Sequence, residues 1–270
     1  MAQRPTVLTI AGSDSGGGAG IQGDLKTLEA FQVYGLTVLT SITAQNTKGV
    51  VQVFDLPAEL VASQIRVVAE DISIDAAKTG MLSSEHLIET VAAKIMEYEI
   101  RNLVVDPVMR AKSGDPLIAL QAQKALMRLI VPLARIVTPN LPEAEQLSGI
   151  RLQSYLAMKE AARIIVENGA QSVLIKGGHM EDTSCALDIF FDGRYFHEFS
   201  AERVGVQGGV HGTGCAYSSA IAAGLAKGMD ILQSISRAKA YITEAIKRHL
   251  RVGQGHPVLD HSWNSFNPTS

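Results

Sequence analysis

The run Gly208-Gly209-Val210-His211-Gly212-Thr213-Gly214-Cys215 concentrates more chemistry than any other part of this 270-residue sequence. Gly212, Thr213, Gly214 and Cys215 lead directly into an Ala-rich stretch that reads as a helix. The first N–H groups of a helix have no partner inside it, and the helix dipole favours negative charge there. The pattern describes an anion hole, suited to the charge that develops in phosphoryl transfer. A thiol at a helix N-terminus also has its pKa lowered. Cys215 is thus placed to take a proton from a substrate hydroxyl, and a small buried cysteine at a tight turn is the plainer reading. His211 receives a supporting role. Cys185 has no anion-hole context and reads as a core residue.

Four further segments carry candidate chemistry. In AGSDSGGGAGIQGD, successive glycines let the backbone approach a ligand and aim N–H groups at an anion. Gly18-Ala19-Gly20-Ile21-Gln22-Gly23 matches the dinucleotide fingerprint. The next strand, however, ends in Thr43-Ala44-Gln45, without the acidic residue that fingerprint requires, so an NAD oxidoreductase is a distant alternative. The P-loop pattern is absent as well, so any ATP is held by other means. Asp24 is expected in the first turn of the helix after this loop. It is either a partner of the helix dipole or a carboxylate facing the phosphate or the substrate hydroxyl. Asp106, before Pro107, either caps a turn or holds Mg²⁺ through water. Asn140 and Glu143, three apart across a helix start, share a face. They either address phosphate and metal together or cap their own helix. Lys176 follows a buried strand and precedes two glycines, and it is either a phosphate partner or a solvated lysine.

The elements that would position these residues alternate between short apolar runs and amphipathic ones. Strands are expected at Thr6–Ile10, Thr37–Ile42, Ala76–Lys78, Leu103–Val105, Arg135–Val137 and Ser172–Ile175. A hairpin is expected from Asp188–Phe191 and Arg194–Phe199 around Asp192-Gly193. Helices are expected near Ile21–Phe31, Leu60–Glu70, Ser84–Tyr98, Leu120–Ile130, Leu156–Asn168, Cys215–Lys227 and Ile231–Leu250. Pro142 suits a helix start, and Gly149 and Gly169 suit helix ends. The piece Gly253–Ser270 is expected to be partly disordered. Such alternation implies a mostly parallel sheet covered on both faces, with ligands outside the carboxyl ends of the strands. The candidate residues fall at those ends.

Composition agrees with one α/β domain spanning 1–270. The chain is 46% hydrophobic and 19% charged, with only 5% aromatics and 24 glycines. A net charge of −3 leaves no electrostatic footprint for nucleic acid. No apolar run approaches the roughly 20 residues of a spanning helix, and the N-terminus lacks the pattern of a signal peptide. A cytoplasmic protein is expected, with its two distant cysteines unbridged.

Taken together, LTIAGSDSGGGAGIQGDLKT, TAQNT, AAKTGML, VDPVMRAKSGDPL, TPNLPEAEQL, KGGH and HGTGC resemble the hydroxymethylpyrimidine/phosphomethylpyrimidine kinases of thiamine biosynthesis, in the ribokinase superfamily. The resemblance runs in order from Thr6 to Leu250. It implies a three-layer αβα, Rossmann-like, ribokinase-like fold. It implies two ATP-dependent phosphorylations, of the hydroxymethyl group of 4-amino-5-hydroxymethyl-2-methylpyrimidine and then of its monophosphate. By match to the family, Gln45 would hydrogen-bond the pyrimidine, and Gly12, Met81 and Val108 would line its pocket. Asp24 and Lys176 would contact phosphates, and Asn140 and Glu143 match a metal–phosphate motif. Mg²⁺ would lie near Asp106 and Glu143, and Gly212, Thr213, Gly214 and Cys215 would hold the transferred group. Cys215 occupies the position of the base. Relatives suggest a homodimer, and activation by K⁺ stays open. The chain departs from the family at Gly209-Val210, Arg110, Gly23 and Ala216. The nearest alternative is a pyridoxal or pyridoxine kinase. A catalytically silent nucleotide- or vitamin-binding protein is more remote.

Overall fold

In the computed structural model, residues 4–109, 118–178 and 185–263 are described. An eight-stranded sheet runs through the molecule. In chain order its strands are β1 (Thr6–Ala11), β2 (Tyr34–Leu39), β5 (Ala76–Thr79), β6 (Leu103–Val105), β7 (Ile136–Val137), β8 (Val173–Ile175), β9 (Cys185–Phe191) and β10 (Phe196–Glu202). Their spatial order is β10-β9-β8-β7-β6-β5-β1-β2. Neighbours from β2 to β8 pair in parallel, while β9 and β10 run antiparallel.

Alternate residues of each strand enter two separate cores, as the two-residue period of a sheet requires. Leu8, Ile10, Leu103, Val105, Val173 and Ile175 face α2 (Ala58–Asp71), α3 (Glu85–Glu97), α4 (Leu120–Ala125), α5 (Leu141–Ser148) and α6 (Tyr155–Glu167). Val7, Val104, Leu174 and Phe190 face α1 (Gly20–Ala30), α7 (Thr213–Ala226) and α8 (Ile231–Lys247). The three-layer αβα arrangement with a mostly parallel sheet is therefore observed.

Several expected elements change on folding. The run Thr37–Ile42 divides after Leu39. Thr40 is fully buried, its N–H bound to the Ala11 carbonyl and its Oγ1 to the Met81 carbonyl. Beyond this pivot, β3 (Ser41–Asn46) pairs with β4 (Gly49–Asp55) in a separate two-stranded sheet. The run Leu120–Ile130 is α-helical only to Ala125. It widens into a π turn at Leu126–Ile130, and Pro132, which has no N–H to donate, sits in the tight turn that follows. Helix α8 stops at Lys247 rather than Leu250, because Leu250 pairs with Val258.

The segment from Gly253 to Trp263 packs against the fold through backbone bonds, and the rest of the piece Gly253–Ser270 lies outside the described residues. His256 N–H donates to the Thr47 carbonyl at the β3–β4 tip, and His211 N–H donates to the Pro257 carbonyl. Cys185 is half-buried at the start of β9 rather than a core residue. Arg110 falls outside the described residues. Among the described residues, no helix is long and apolar enough to cross a membrane.

Candidate active site

A cavity of about 630 Å³ opens over the carboxyl ends of β1, β5, β6 and β8. Its walls bring together Gly12, Gln45, Met81, Asp106, Val108, Asn140, Glu143, Lys176, Gly212, Thr213, Gly214 and Cys215. Of the candidate residues, Asp24 alone does not line it.

The Gly-rich loop supplies the first wall, but not by offering its amides to a ligand. The N–H groups of Gly16 (2.8 Å), Gly18 (3.1 Å) and Ala19 (2.8 Å) all donate to the carboxylate of Asp14. The anion this loop binds is its own side chain. Burial works against ionising Asp14, but the hydrogen bond and charge of His211 and these amides outweigh it, and the carboxyl is held below its ordinary range. His211 Nε2 lies 2.8 Å from Asp14 Oδ2, which places a proton on that nitrogen, and the Gln45 amide lies 3.3 Å from it.

The GTGC turn rests on this loop. Gly212 has φ +84°, and a Cβ there would lie 1.8 Å from the Gly18 carbonyl oxygen. Any other residue would force the two segments apart. The amides of Thr213, Gly214 and Cys215 donate to no acceptor among the described residues and are open to an anion. The Thr213 hydroxyl is committed to the Val210 carbonyl at 2.9 Å, so of the two departures next to His211, Val210 serves the turn through its backbone.

Cys215 keeps a half-buried face on the cavity. The expectation of a lowered pKa is corrected. Burial pushes the thiol up to about 11; Lys78 and the Gly20 N–H oppose the rise, while Asp106 and Asp24 add to it. One helix terminus does not offset loss of water and two nearby carboxylates. The thiol is neutral at pH 7 in the unliganded protein.

The opposite wall is a cluster of Asp106, Lys176, Asn140 and Glu143. Lys176 Nζ lies 3.0 Å from Asp106 Oδ1, and both side chains are nearly buried, so Lys176 is not a solvated lysine. Asn140 and Glu143 form a reciprocal cap. The Glu143 N–H donates to Asn140 Oδ1 at 2.9 Å, and the Asn140 N–H donates to Glu143 Oε2 at 2.8 Å. The capping alternative thus holds for one oxygen of each side chain, while both still border the cavity. Burial raises the Glu143 carboxyl to about 7, with Lys176 opposing and Asp106 reinforcing the rise. No cluster of three metal-ligating side chains exists among the described residues. Mg²⁺ asks for less, since it keeps several waters and takes one or two carboxylates plus phosphate oxygens. The two buried carboxylates, Asp106 and Glu143, fit that requirement.

Asp24 is the residue the fold moves out of the site. It lies in the second turn of α1, fully buried, with its carboxylate bound to Lys78 Nζ at 3.0 and 2.9 Å, Thr9 Oγ1 at 2.6 Å and Ser219 Oγ at 2.8 Å. Contact with a phosphate is excluded by this saturation. Three groups escaped the sequence reading. Lys78 and Asp14 line the cavity, as does Lys239, which pairs with Asp188 at 2.7 Å. Asp188 also accepts from Tyr217 Oη and from the Gly177 N–H beside Lys176. The available signals were a lysine inside the buried strand AAKT and another on the apolar stripe of α8.

Fold and site together define a small-molecule kinase of the ribokinase-like α/β class. The profile of the phosphomethylpyrimidine kinase family matches residues 14–260. The hydroxymethylpyrimidine/phosphomethylpyrimidine kinase of Bacillus subtilis (strain 168) is 44% identical over 254 residues, covering 94% of this chain and 93% of that protein. The thiamine biosynthesis bifunctional protein ThiED of Geobacter sulfurreducens is 49% identical over 258 residues; this chain spans 96% of its own length there but only 52% of that protein. Among solved structures, an ADP complex of Bacillus subtilis pyridoxal kinase superposes with a TM-score of 0.89 at 39% identity, covering 96% of this chain and 98% of that one. The chain belongs to the phosphomethylpyrimidine kinase family.

Proposed function

We propose that this protein uses ATP to phosphorylate 4-amino-5-hydroxymethyl-2-methylpyrimidine and then its monophosphate, in thiamine biosynthesis. The observation that carries this reading is the juxtaposition of three unpaired amides and Cys215 with Gln45 in one cavity. Gln45 orients the ring through its amide, with Gly12, Met81 and Val108 as the walls of the ring pocket. A Cβ at Gly12 would lie 2.7 Å from Met81 Cε, so glycine there keeps the pocket open. Lys176 and Asn140 take the phosphate chain of ATP, and the amides of Gly212 to Cys215 receive the transferred group. Asp106 and Glu143 hold Mg²⁺, which when bound neutralises charge on the phosphates.

Cys215 accepts the substrate proton. It can do so only when ionised, a form that burial disfavours in the unliganded protein and the charge of Lys78 favours. In a loose transition state the attacking hydroxyl keeps its proton until late, so a base of modest reach suffices. Cytoplasmic action belongs to this proposal, because ATP is the co-substrate. So does a homodimer, supported by the exposed apolar pair Ile42 and Phe54, cross-strand neighbours on one face of the β3–β4 hairpin, 49% and 62% exposed. Light scattering tests the dimer.

The structural likeness to a pyridoxal kinase supports a second reading, in which a pyridine alcohol fills the ring pocket. A coupled ADP-release assay with the pyrimidine, its monophosphate and pyridoxine in parallel decides between them. Turnover of both pyrimidines well above pyridoxine is expected. Turnover of pyridoxine alone would overturn the pyrimidine reading.

A further inference from the structure

Helix α7 is buried on every side, and much of its surface is made of methyl groups. Residues 216–225 are all buried, and Ala216, Ala220, Ala222 and Ala223 expose nothing. Contact between small apolar side chains has no direction and holds such a rod weakly against sliding or turning. Three consecutive polar residues, Tyr217, Ser218 and Ser219, interrupt this surface one turn after the GTGC amides. All three are buried, and each meets a different element. Tyr217 Oη donates to Asp188 Oδ2 on β9 at 2.9 Å, Ser218 Oγ lies 2.9 Å from Thr138 Oγ1 just after β7, and Ser219 Oγ donates to Asp24 Oδ1 on α1 at 2.8 Å.

These partners are fixed in turn, two of them next to the opposite wall of the cavity. Asp188 also accepts the N–H of Gly177, the residue after Lys176, at 3.0 Å. Thr138 stands two residues before Asn140, and its Oγ1 lies 3.2 Å from the carbonyl of Val105, the residue before Asp106. Asp24 is held by Lys78 and Thr9. Ser218 does more, because its Oγ donates to the Gly214 carbonyl at 3.0 Å. That carbonyl shares a planar peptide group with the N–H of Cys215, so the serine sets the direction in which this open amide points. A hydroxyl has one proton to give, so with Ser218 donating to Gly214, Thr138 is the donor to Ser218. Stability alone does not ask for these hydroxyls, since apolar groups of the same shape in place of a bonded pair are often nearly neutral. Apolar groups cannot supply direction.

We propose that Tyr217, Ser218 and Ser219 are positioning residues for phosphoryl transfer, three anchors that fix the rotation and axial place of α7 and so hold the amides of Thr213, Gly214 and Cys215 at a set distance from the wall of Asp106, Asn140 and Lys176. The inference rests on the kinase reading above and deepens it. In that reading the ATP phosphates lie on one wall and the transferred group is received by the other, and catalysis is mostly positioning and electrostatic stabilisation. Consecutive helical residues point about 100° apart, so the three side chains span about 200° of the circumference. No slide or turn of the helix keeps all three bonds.

Ser218→Ala/Ser219→Ala removes two oxygens and leaves the partners bonded, since Thr138 keeps the Val105 carbonyl and Asp24 keeps Lys78 and Thr9. In the coupled ADP-release assay kcat should fall by about tenfold, because ~1 Å of misplacement costs on the order of 10²-fold and Tyr217 still restrains the helix. The KM values for ATP and the pyrimidine should stay within about twofold, as for an interaction expressed only in the transition state. Calorimetry with the pyrimidine present should show weaker binding of ADP with aluminium fluoride and unchanged binding of ADP alone. Gly224→Ala is the structural control. Its Cβ would stand 2.7 Å from Ser234 Oγ, ten residues (224 − 214) or about 15 Å beyond Gly214 along α7. It should lower the melting temperature at least as far as the double variant and leave kcat within about threefold of wild type. If the double variant does not fold, Ser218→Ala alone carries the same readouts. A folded variant with wild-type kcat, a rise in KM in place of the fall in kcat, or an equal loss of kcat in Gly224→Ala overturns the proposal. Hydrogen exchange of the 216–220 amides reads the anchoring without turnover, and exchange in the double variant as slow as in wild type also overturns it. Wild-type protein that phosphorylates no pyrimidine would defeat the kinase reading instead, and the exchange would still decide whether the helix is anchored.

Discussion

Gly212→Ala perturbs the site without removing any reacting group. Gly212 has φ +84° and ψ 0°, a left-handed conformation that costs an L-residue about 1–2 kcal/mol. The added Cβ would lie 1.8 Å from the Gly18 carbonyl oxygen, and side-chain carbons do not approach closer than 3.0 Å, so the segments must part by at least 1.2 Å (3.0 − 1.8). The Gly-rich loop cannot retreat easily, because Asp14 holds its amides at Gly16, Gly18 and Ala19. The displacement therefore falls on the GTGC turn, which carries Cys215 and the amides that have no acceptor among the described residues. Misplacing a reacting group by about 1 Å costs on the order of 10²-fold in rate. In a coupled ADP-release assay kcat should fall by about 10²-fold. The KM for the pyrimidine should change little, since Gly12, Gln45 and Met81 sit on other elements. The melting temperature should drop by roughly 2–8 °C. A folded Gly212→Ala enzyme with kcat within about threefold of wild type would refute the argument that the turn must rest on the loop.

Other perturbations separate the remaining roles. Cys215→Ala should lower kcat by ~10²–10⁴ if the thiol is the proton acceptor; near-normal turnover would remove it from that role. Gln45→Ala should raise the KM for the pyrimidine and leave that for ATP unchanged, and the reverse result would place Gln45 outside the ring pocket. Glu143 stays protonated up to about pH 7 in the unliganded protein, against 4.5 for an ordinary glutamate, so the native chain binds more protons than the unfolded chain between these values. Stability should therefore fall as pH rises from 4.5 to 7, and thermal melts of Glu143→Gln should lose that slope. Asp24→Asn strands the buried Lys78 charge and should cost about 3–5 kcal/mol in urea unfolding.

The layers were legible because period and punctuation agree with the fold. Leu103–Val105 is a strand as predicted, and Gly149 ends α5 with φ +75°, the left-handed cap that glycine permits. The hairpin around Asp192-Gly193 forms, with Asp192 Oδ1 accepting the N–H groups of Arg194 and Tyr195. The sheet β3–β4 was not legible. Its second strand, GVVQVFD, is exposed over most of its length, so neither core imposes the alternation by which a strand is recognised. The packing of the C-terminal segment was not legible for a related reason. It comes from backbone bonds to Thr47 and His211, which carry no side-chain pattern.

In the site, the residues that would meet a ligand were legible and those that hold them were not. The motifs announced glycines, amides and carboxylates but not which acceptor each donor would choose. Among the described residues, three carboxylate–ammonium pairs and one carboxylate–imidazole pair assemble the cavity: Asp24 with Lys78, Asp106 with Lys176, Asp188 with Lys239, and Asp14 with His211. Their partners stand 54, 70, 51 and 197 residues apart, far beyond the three- and four-residue spacings that helical reasoning can use. Asp24 shows the consequence. Its place beside a Gly-rich loop suggests a phosphate contact, yet the cation it meets comes from another strand and draws it into the interior. The loop repeats the lesson with the sign reversed, since its amides do bind an anion, and that anion is Asp14. Each pair joins segments that meet only in the folded chain, so the reacting groups keep their spacing because the charges beneath them are already matched.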